Sequence, residues 1–148
     1  MNHQRHLIRE AIVALLAAGG TLAGTRVFNH AYDPIQVFPA LDVTDVGEQQ
    51  EADSMPAEAT RPVVRTYTIE VCAKVQQIAN YARIRDQLLA DVEAILASAS
   101  LTITAIKGVQ PAGYAPSTDA TAQQPIAVGR QRFDILYITT QGNPATSL

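Results

Sequence analysis

The sequence predicts an α+β fold: a mixed, mainly antiparallel sheet of four to five strands with two helices packed on one face. Three observations carry that expectation. Apolar residues recur at helical spacing in two segments, Gln4 to Ala18 and Ile78 to Ala99. They alternate with polar residues at period two in two long runs, Arg61 to Val75 and Ile126 to Thr140. The second helical segment lies between those two strand runs, and no internal repeat is present.

In the first helix, Ile8, Ala11, Ile12, Leu15 and Leu16 form one stripe, with Gln4, Arg5 and Arg9 off it. Gly19 and Gly20 stop it, because glycine enters the left-handed backbone that ends helices. A short strand is expected at Thr25 to Phe28. After Asp33-Pro34 and Phe38-Pro39, a second main strand alternates from Ala40 to Val46, with Leu41 and Val43 opposed to Asp42 and Thr44. The polar, acidic stretch Gly47 to Thr60 reads as an extended loop. In the long strand that follows, Val63, Tyr67, Ile69, Val71, Ala73 and Val75 mark one face and Thr66, Thr68, Glu70 and Lys74 the other. The second helix turns Tyr81, Ile84, Leu88, Val92, Ile95, Leu96 and Ala99 to one side and Arg83, Asp86, Gln87 and Glu93 to the other. Leu101, Ile103 and Ala105 return to period two as a further strand, and Phe133, Ile135 and Tyr137 mark the last. Between these two strands the Pro/Gly/Ala-rich stretch Val109 to Pro125 reads as a second extended loop. Residues 1–148 are thus expected to form a single domain with extended loops 47–60 and 109–125, a core that presents long arms to other subunits.

Composition bounds the function. A chain of 148 residues, 47% of them hydrophobic, is long enough to bury roughly 68–70% of its unfolded surface. Its core is aliphatic, since aromatic residues make up 5% and Trp is absent. The net charge is −3 and no Lys/Arg cluster occurs, so the footprint of a phosphate-backbone binder is missing. Cys72 is the only cysteine, which excludes an internal disulfide and suits a reducing compartment. Arg5 and Arg9 ahead of Ala11 to Ala18 imitate a short signal peptide, yet Glu10 at the edge of the run and its helical recurrence favour an amphipathic helix. The run is too short to cross a bilayer.

No constellation of catalytic residues emerges. His3, His6 and Glu10 would share a helix face, as metal ligands must, but a solvated terminal turn is the simpler reading. His30 and Asp33 have no Ser or Cys partner in a motif, and Cys72 falls on the polar face of its strand without a CxxC mate. Gly19, Gly20 and Gly24 do not form a GxGxxG frame. Catalytic, cofactor and metal sites are therefore not expected. The acidic residues Glu48, Glu51, Asp53 and Glu58 lack the spacing and turn glycine of a calcium loop. Arg130, Arg132 and Asp134 alternate on one strand face, where Glu70 is available for cross-strand pairing. No large exposed apolar stripe is expected outside the core, which suits an interface completed only on assembly.

The order of these elements resembles a known family. The first helix is followed by Arg26-Val27-Phe28 and by the strand entry Phe38-Pro39-Ala40-Leu41. Next come the long loop, the strand Arg65-Thr66-Tyr67-Thr68-Ile69-Glu70-Val71 and the helix around Arg85 to Leu96. The closing strand is Phe133-Asp134-Ile135-Leu136-Tyr137. Over nearly the whole chain this pattern is similar to bacteriophage minor tail proteins of the tail-terminator type, typified by protein U of phage lambda. The resemblance implies a non-enzymatic virion protein, without cofactor, that closes as a hexameric ring on the head-proximal end of a long flexible tail. It would end polymerisation of the major tail tube protein and dock the head-completion or connector protein. DNA would pass through its channel without specific binding, no membrane would be involved, and assembly would take place in the cytoplasm of a bacterial host. By position, Glu48, Glu51, Asp53, Glu58, Arg130 and Arg132 are expected at subunit or tube contacts. Two alternatives stay open: a neck or tail-completion protein of the head–tail connector, and a small periplasmic or cytoplasmic α+β binding domain.

Overall fold

A computed structural model describes residues 3–32, 34–52, 62–76, 78–119, 125–140 and 142–147. The first apolar stripe forms α1 (Gln4–Ala18), burying Ile8, Ile12 and Leu16. His3 caps it, its Nδ1 accepting the Arg5 N–H at 3.1 Å. At the other end the Gly19 N–H bonds the Leu16 carbonyl, and Gly20 takes a φ of 71°. The second stripe forms α2 (Tyr81–Ala97), three residues later at its start than expected, because Asn80 at φ 65° makes the turn into it. Leu88, Leu89, Val92 and Leu96 are its buried residues.

Among the described residues the strands are β1 (Val27–Asn29), β2 (Ala40–Ala52), β3 (Pro62–Gln76), β4 (Gly108–Asp119), β5 (Ile126–Thr140) and β6 (Asn143–Ser147). They lie in the order β1-β2-β3-β5-β4, with β6 paired to β5. β1 runs parallel to β2 and every other pairing is antiparallel. The fold is the α+β class expected, with a six-stranded sheet larger by one or two strands. Alternation, broken only by the buried Cys72, buries residues 63, 65, 67, 69, 71, 73 and 75 of β3. Tyr67, Ile69, Phe133, Ile135 and Tyr137 thereby join residues of both helices in one core, whose largest fully buried side chains are the aromatic Tyr67, Tyr137 and Phe133 rather than the aliphatic ones the composition suggested. The opposite sheet face carries exposed Val64, Arg130, Arg132 and Leu136.

Three expectations are corrected here. Residues Gly47–Ala52, expected to begin a loop, continue β2 and pair with β3 as far as Ala52↔Val63. They lack apolar alternation, but the backbone ladder does not require it. Most of the second expected loop is β4, paired with β5 from Gly108↔Leu136 to Asp119↔Ile126. Its Pro111 and Pro116 read as loop signals, yet proline is tolerated on an edge strand where its nitrogen owes no ladder bond. The strand expected at Leu101 to Ala105 is instead the short helix α3 (Ala99–Thr102) and a turn, closed by Ile103 N–H to Ala99 O at 2.7 Å. Ile103 and Ala105 still pack on the core, so a short apolar alternation served a turn as well as it would a strand. Residues 53–61 and 120–124 lie outside those described.

Candidate functional site

A β-bulge builds the most buried polar cluster. In β2, Leu41, Val43 and Asp45 face the helices opposite Ala73, Val71 and Ile69; the register then shifts between Asp45 and Gly47. One extra residue reverses the parity of all that follows, so Glu48 comes to lie opposite Tyr67 and Gln50 opposite Arg65. Without it Gly47 and Gln49 would point inward. The Glu48 side chain is 4% exposed. Its Oε2 accepts from Arg5 Nη1 at 2.7 Å, Arg65 Nη1 at 3.1 Å and Gln50 Nε2 at 2.6 Å, and its Oε1 accepts from the Tyr137 hydroxyl. Arg65, 7% exposed on what is otherwise the apolar face of β3, also donates from Nε to Thr139 Oγ1 at 2.8 Å. Burial pulls the Glu48 carboxyl upward in pKa, but the donors Tyr137, Gln50 and Arg65 and the charge of Arg5 outweigh it and hold the group below the usual glutamate value. Burial, reinforced by the bond to Glu48, pushes the Tyr137 phenol up.

One helical turn on, Arg9 makes the parallel contact. It donates to Asn29 Oδ1 at 2.6 Å, Asp45 Oδ1 at 2.9 Å and the Tyr67 hydroxyl at 3.0 Å, while Tyr67 donates to Asp45. Arg5 and Arg9, at i and i+4, thus clamp α1 to the two carboxylates that flank the bulge. Gln4 adds a bond to the Ala145 carbonyl of β6 at 2.5 Å.

On the open sheet face, Glu70 accepts from Arg130 Nη1 at 3.1 Å and Arg132 Nε at 3.2 Å, the cross-strand pairing its spacing allows. The arginine side chains are 45% and 52% exposed. Burial raises the pKa of Glu70, but these donors prevail and hold it low. An open cavity of about 280 Å³ beside this trio is lined also by the β4 bulge around Ala112 and Gly113. Cys72 lies on this polar face, as its position in the strand implies, 3.5 Å from Glu70 and Arg130, but it is 3% exposed and burial pushes its thiol up to about 11. With two carboxylates held low, stability has an acid limb. The contribution of ionised Glu48 and Glu70 is fully present above the unfolded value of about 4.3 and is lost as pH falls through the lower folded values. The melting temperature should therefore drop steeply below about pH 4. Scanning calorimetry across pH on the parent and on Glu48→Gln should show a shallower acid limb in the variant.

The sites expected from sequence are distributed as follows. Glu48 is turned inward and satisfied within the chain, whereas Glu51 is exposed near the end of β2. Asp53 and Glu58 lie outside the described residues. Arg130 and Arg132 come together on Glu70. Sequence reasoning missed Arg65, although its odd position within the β3 alternation was a usable signal. His6 lies 3.2 Å from Glu10, and among the described residues no three His, Cys, Asp or Glu side chains are grouped to hold a metal. Among them, too, no helix is long and apolar enough to cross a membrane.

The sheet edges carry apolar surface that was not expected. Beside β1, Phe28, Tyr32, Ile35 and Val37 line a groove of about 390 Å³. Tyr32 is 98% and Val37 60% exposed. At the opposite edge, every β4 residue from Pro111 to Thr118 is exposed.

The sheet is thus backed by two helices on one face, with ionic clamps on its inner side and apolar groups at its edges. No protein-family model matches the sequence, and neither does any curated protein. Among solved structures, a chain from one described as "Virion of native gene transfer agent (GTA) particle" is similar in fold. The match has a TM-score of 0.50 and 17% identity and covers 86% of this chain and 93% of that one. At that identity the likeness is one of fold.

Proposed function

We propose that this chain is a structural virion protein without enzymatic activity, and more narrowly a tail terminator that caps the growing phage tail tube as a hexameric ring and offers the head its attachment surface. The observation that carries this reading is the fold likeness to a chain of a gene transfer agent virion over most of both chains. The two unlike sheet edges support it, because a closed ring needs a heterologous interface between different surfaces. The major tail tube protein and a head-completion or connector protein would be its partners. A net charge of −3 suits a channel through which DNA slides without being gripped. The reading assigns Glu51, Arg130 and Arg132, together with Asp53 and Glu58, to contacts with tube or neighbouring subunits. Location in the virion at the head-proximal end of the tail follows from the same assignment.

Electron microscopy of the purified protein, alone and with tube protein, tests it. Six-fold rings and tubes that stop at uniform length are expected. Uniform single particles of a tight dimer, with tubes that grow unchecked in their presence, would overturn it.

A further inference from the structure

We propose that Arg130 and Arg132, with the β4 bulge beside them, form a site on the open sheet face for one carboxylate side chain of a partner protein. The proposal gives a chemistry to the contact role assigned to these arginines above, and rests on that reading only for the partner being another virion protein.

The site holds more donors than its own chain uses. Glu70 takes Nη1 of Arg130 and Nε of Arg132, and Arg130 Nη1 also lies 3.5 Å from Cys72 Sγ. Among the described residues nothing accepts from Arg130 Nη2 or from either terminal nitrogen of Arg132. The Glu70 side chain is 12% exposed, so the guanidinium pair and not the carboxylate meets solvent. Both arginines line the open cavity together with Ala112 and Gly113. The register of β4 shifts between Pro111 and Gly113, which makes Ala112 the extra residue, and a bulge leaves such a residue out of the ladder. Guanidinium forks and backbone N–H groups outside a ladder are the donors that a carboxylate takes.

Charge selects the occupant. Two guanidiniums share one carboxylate, and the single positive charge left over is neutralised by one further carboxylate. Asp134, the next outward residue on β5, does not supply it: it accepts from Thr68 Oγ1 at 2.6 Å and lines a different depression. A nucleic-acid backbone needs a broader basic surface, whereas no Lys/Arg cluster occurs in the sequence and Glu70 would repel a phosphate. The chain's net charge of −3 does not decide at this range, because salt screens exposed charges beyond about 8 Å. At about 280 Å³ the cavity also falls below the roughly 300–1,000 Å³ of small-molecule sites.

Nuclear magnetic resonance of the full chain, titrated with a capped hexaglutamate peptide, tests the site. The Nε–H signals of Arg130 and Arg132 and the amide of Ala112 should shift together and saturate at roughly millimolar peptide, while capped hexaglutamine leaves them in place. Arg130→Gln with Arg132→Gln should weaken binding on the order of tenfold. Arg132→Lys, which keeps the charge and loses the fork, replaces that double variant if circular dichroism shows it unfolded. Glu70→Gln separates a binding site from a merely structural ion pair: it removes the competing anion, so the peptide should bind about threefold tighter or better. Signals that stay in place, arginine variants that bind like the parent, or a Glu70→Gln protein that binds no tighter would each overturn the proposal. So would a duplex oligonucleotide that moves the same signals at lower concentration than the peptide. Electron microscopy of the same proteins keeps the two readings apart. Six-fold rings without peptide shifts overturn this proposal alone, and peptide binding by a protein that never forms rings overturns the terminator reading alone.

Discussion

Glu48→Ala is expected to destabilise the fold by about 3–5 kcal/mol, the cost of breaking a buried ion pair from one side. Glu48 accepts from four side chains, and its removal strands the guanidinium of Arg65, whose side chain is 9% exposed, and leaves the Tyr137 hydroxyl without its acceptor. Arg5 suffers less, since it is 36% exposed and water can replace the carboxylate. The expected effect therefore comes mainly from Arg65 and Tyr137. Replacing Arg5 by Ala should cost well under half as much, which separates the buried pair from the surface one. Denaturant unfolding of the two variants measures both. A Glu48→Ala protein within about 1 kcal/mol of the parent would show that the cluster is not a unit.

The second large effect lies in the apolar core. Leu88→Ala should cost about 2–5 kcal/mol and Tyr67→Ala about 3–5 kcal/mol, through lost transfer energy and the cavity left behind. Leu88 is 0% exposed on α2 and Tyr67 is 1% exposed on β3, and both belong to the cluster in which helices and sheet meet. Tyr67 does more than fill space. Its hydroxyl joins Arg9 and Asp45 at the edge of the core, so Tyr67→Phe should lose about 1 kcal/mol while keeping the packing. Thermal and urea unfolding of the three variants checks the ordering. Equal losses for Tyr67→Phe and Tyr67→Ala would assign the tyrosine's contribution to its hydrogen bonds instead of its ring.

Much of the fold was legible because each long element buries one face only. The stripe of Ile8, Ile12 and Leu16 placed α1 with its observed bounds, and the alternation through Ile69 and Ile135 placed β3 and β5 and their inward faces. Where an element buries little, the signal fades. β4 is exposed along most of its length and rich in Pro, Gly and Ala, so nothing in its composition distinguished an edge strand from a loop. The end of β2 failed for the same reason, since its Gln and Glu side chains show no periodicity while its backbone pairs fully with β3.

The sequence by itself determined the class, the two long helices and the inward faces of the long strands, because local periodicity is a property of consecutive residues; it offered Glu70 as a partner for Arg130 and Arg132, and the β3–β5 register made the contact. Only the tertiary structure decided that Glu48 turns inward to meet Arg5, Arg65 and Tyr137, that Cys72 is buried, and that apolar surface remains at both sheet edges. A single bulged residue reverses the parity of β2, and which strands end up at an edge depends on pairing between segments far apart in the chain. Neither is encoded in the pattern of any one segment, since both follow from which partner each strand finds.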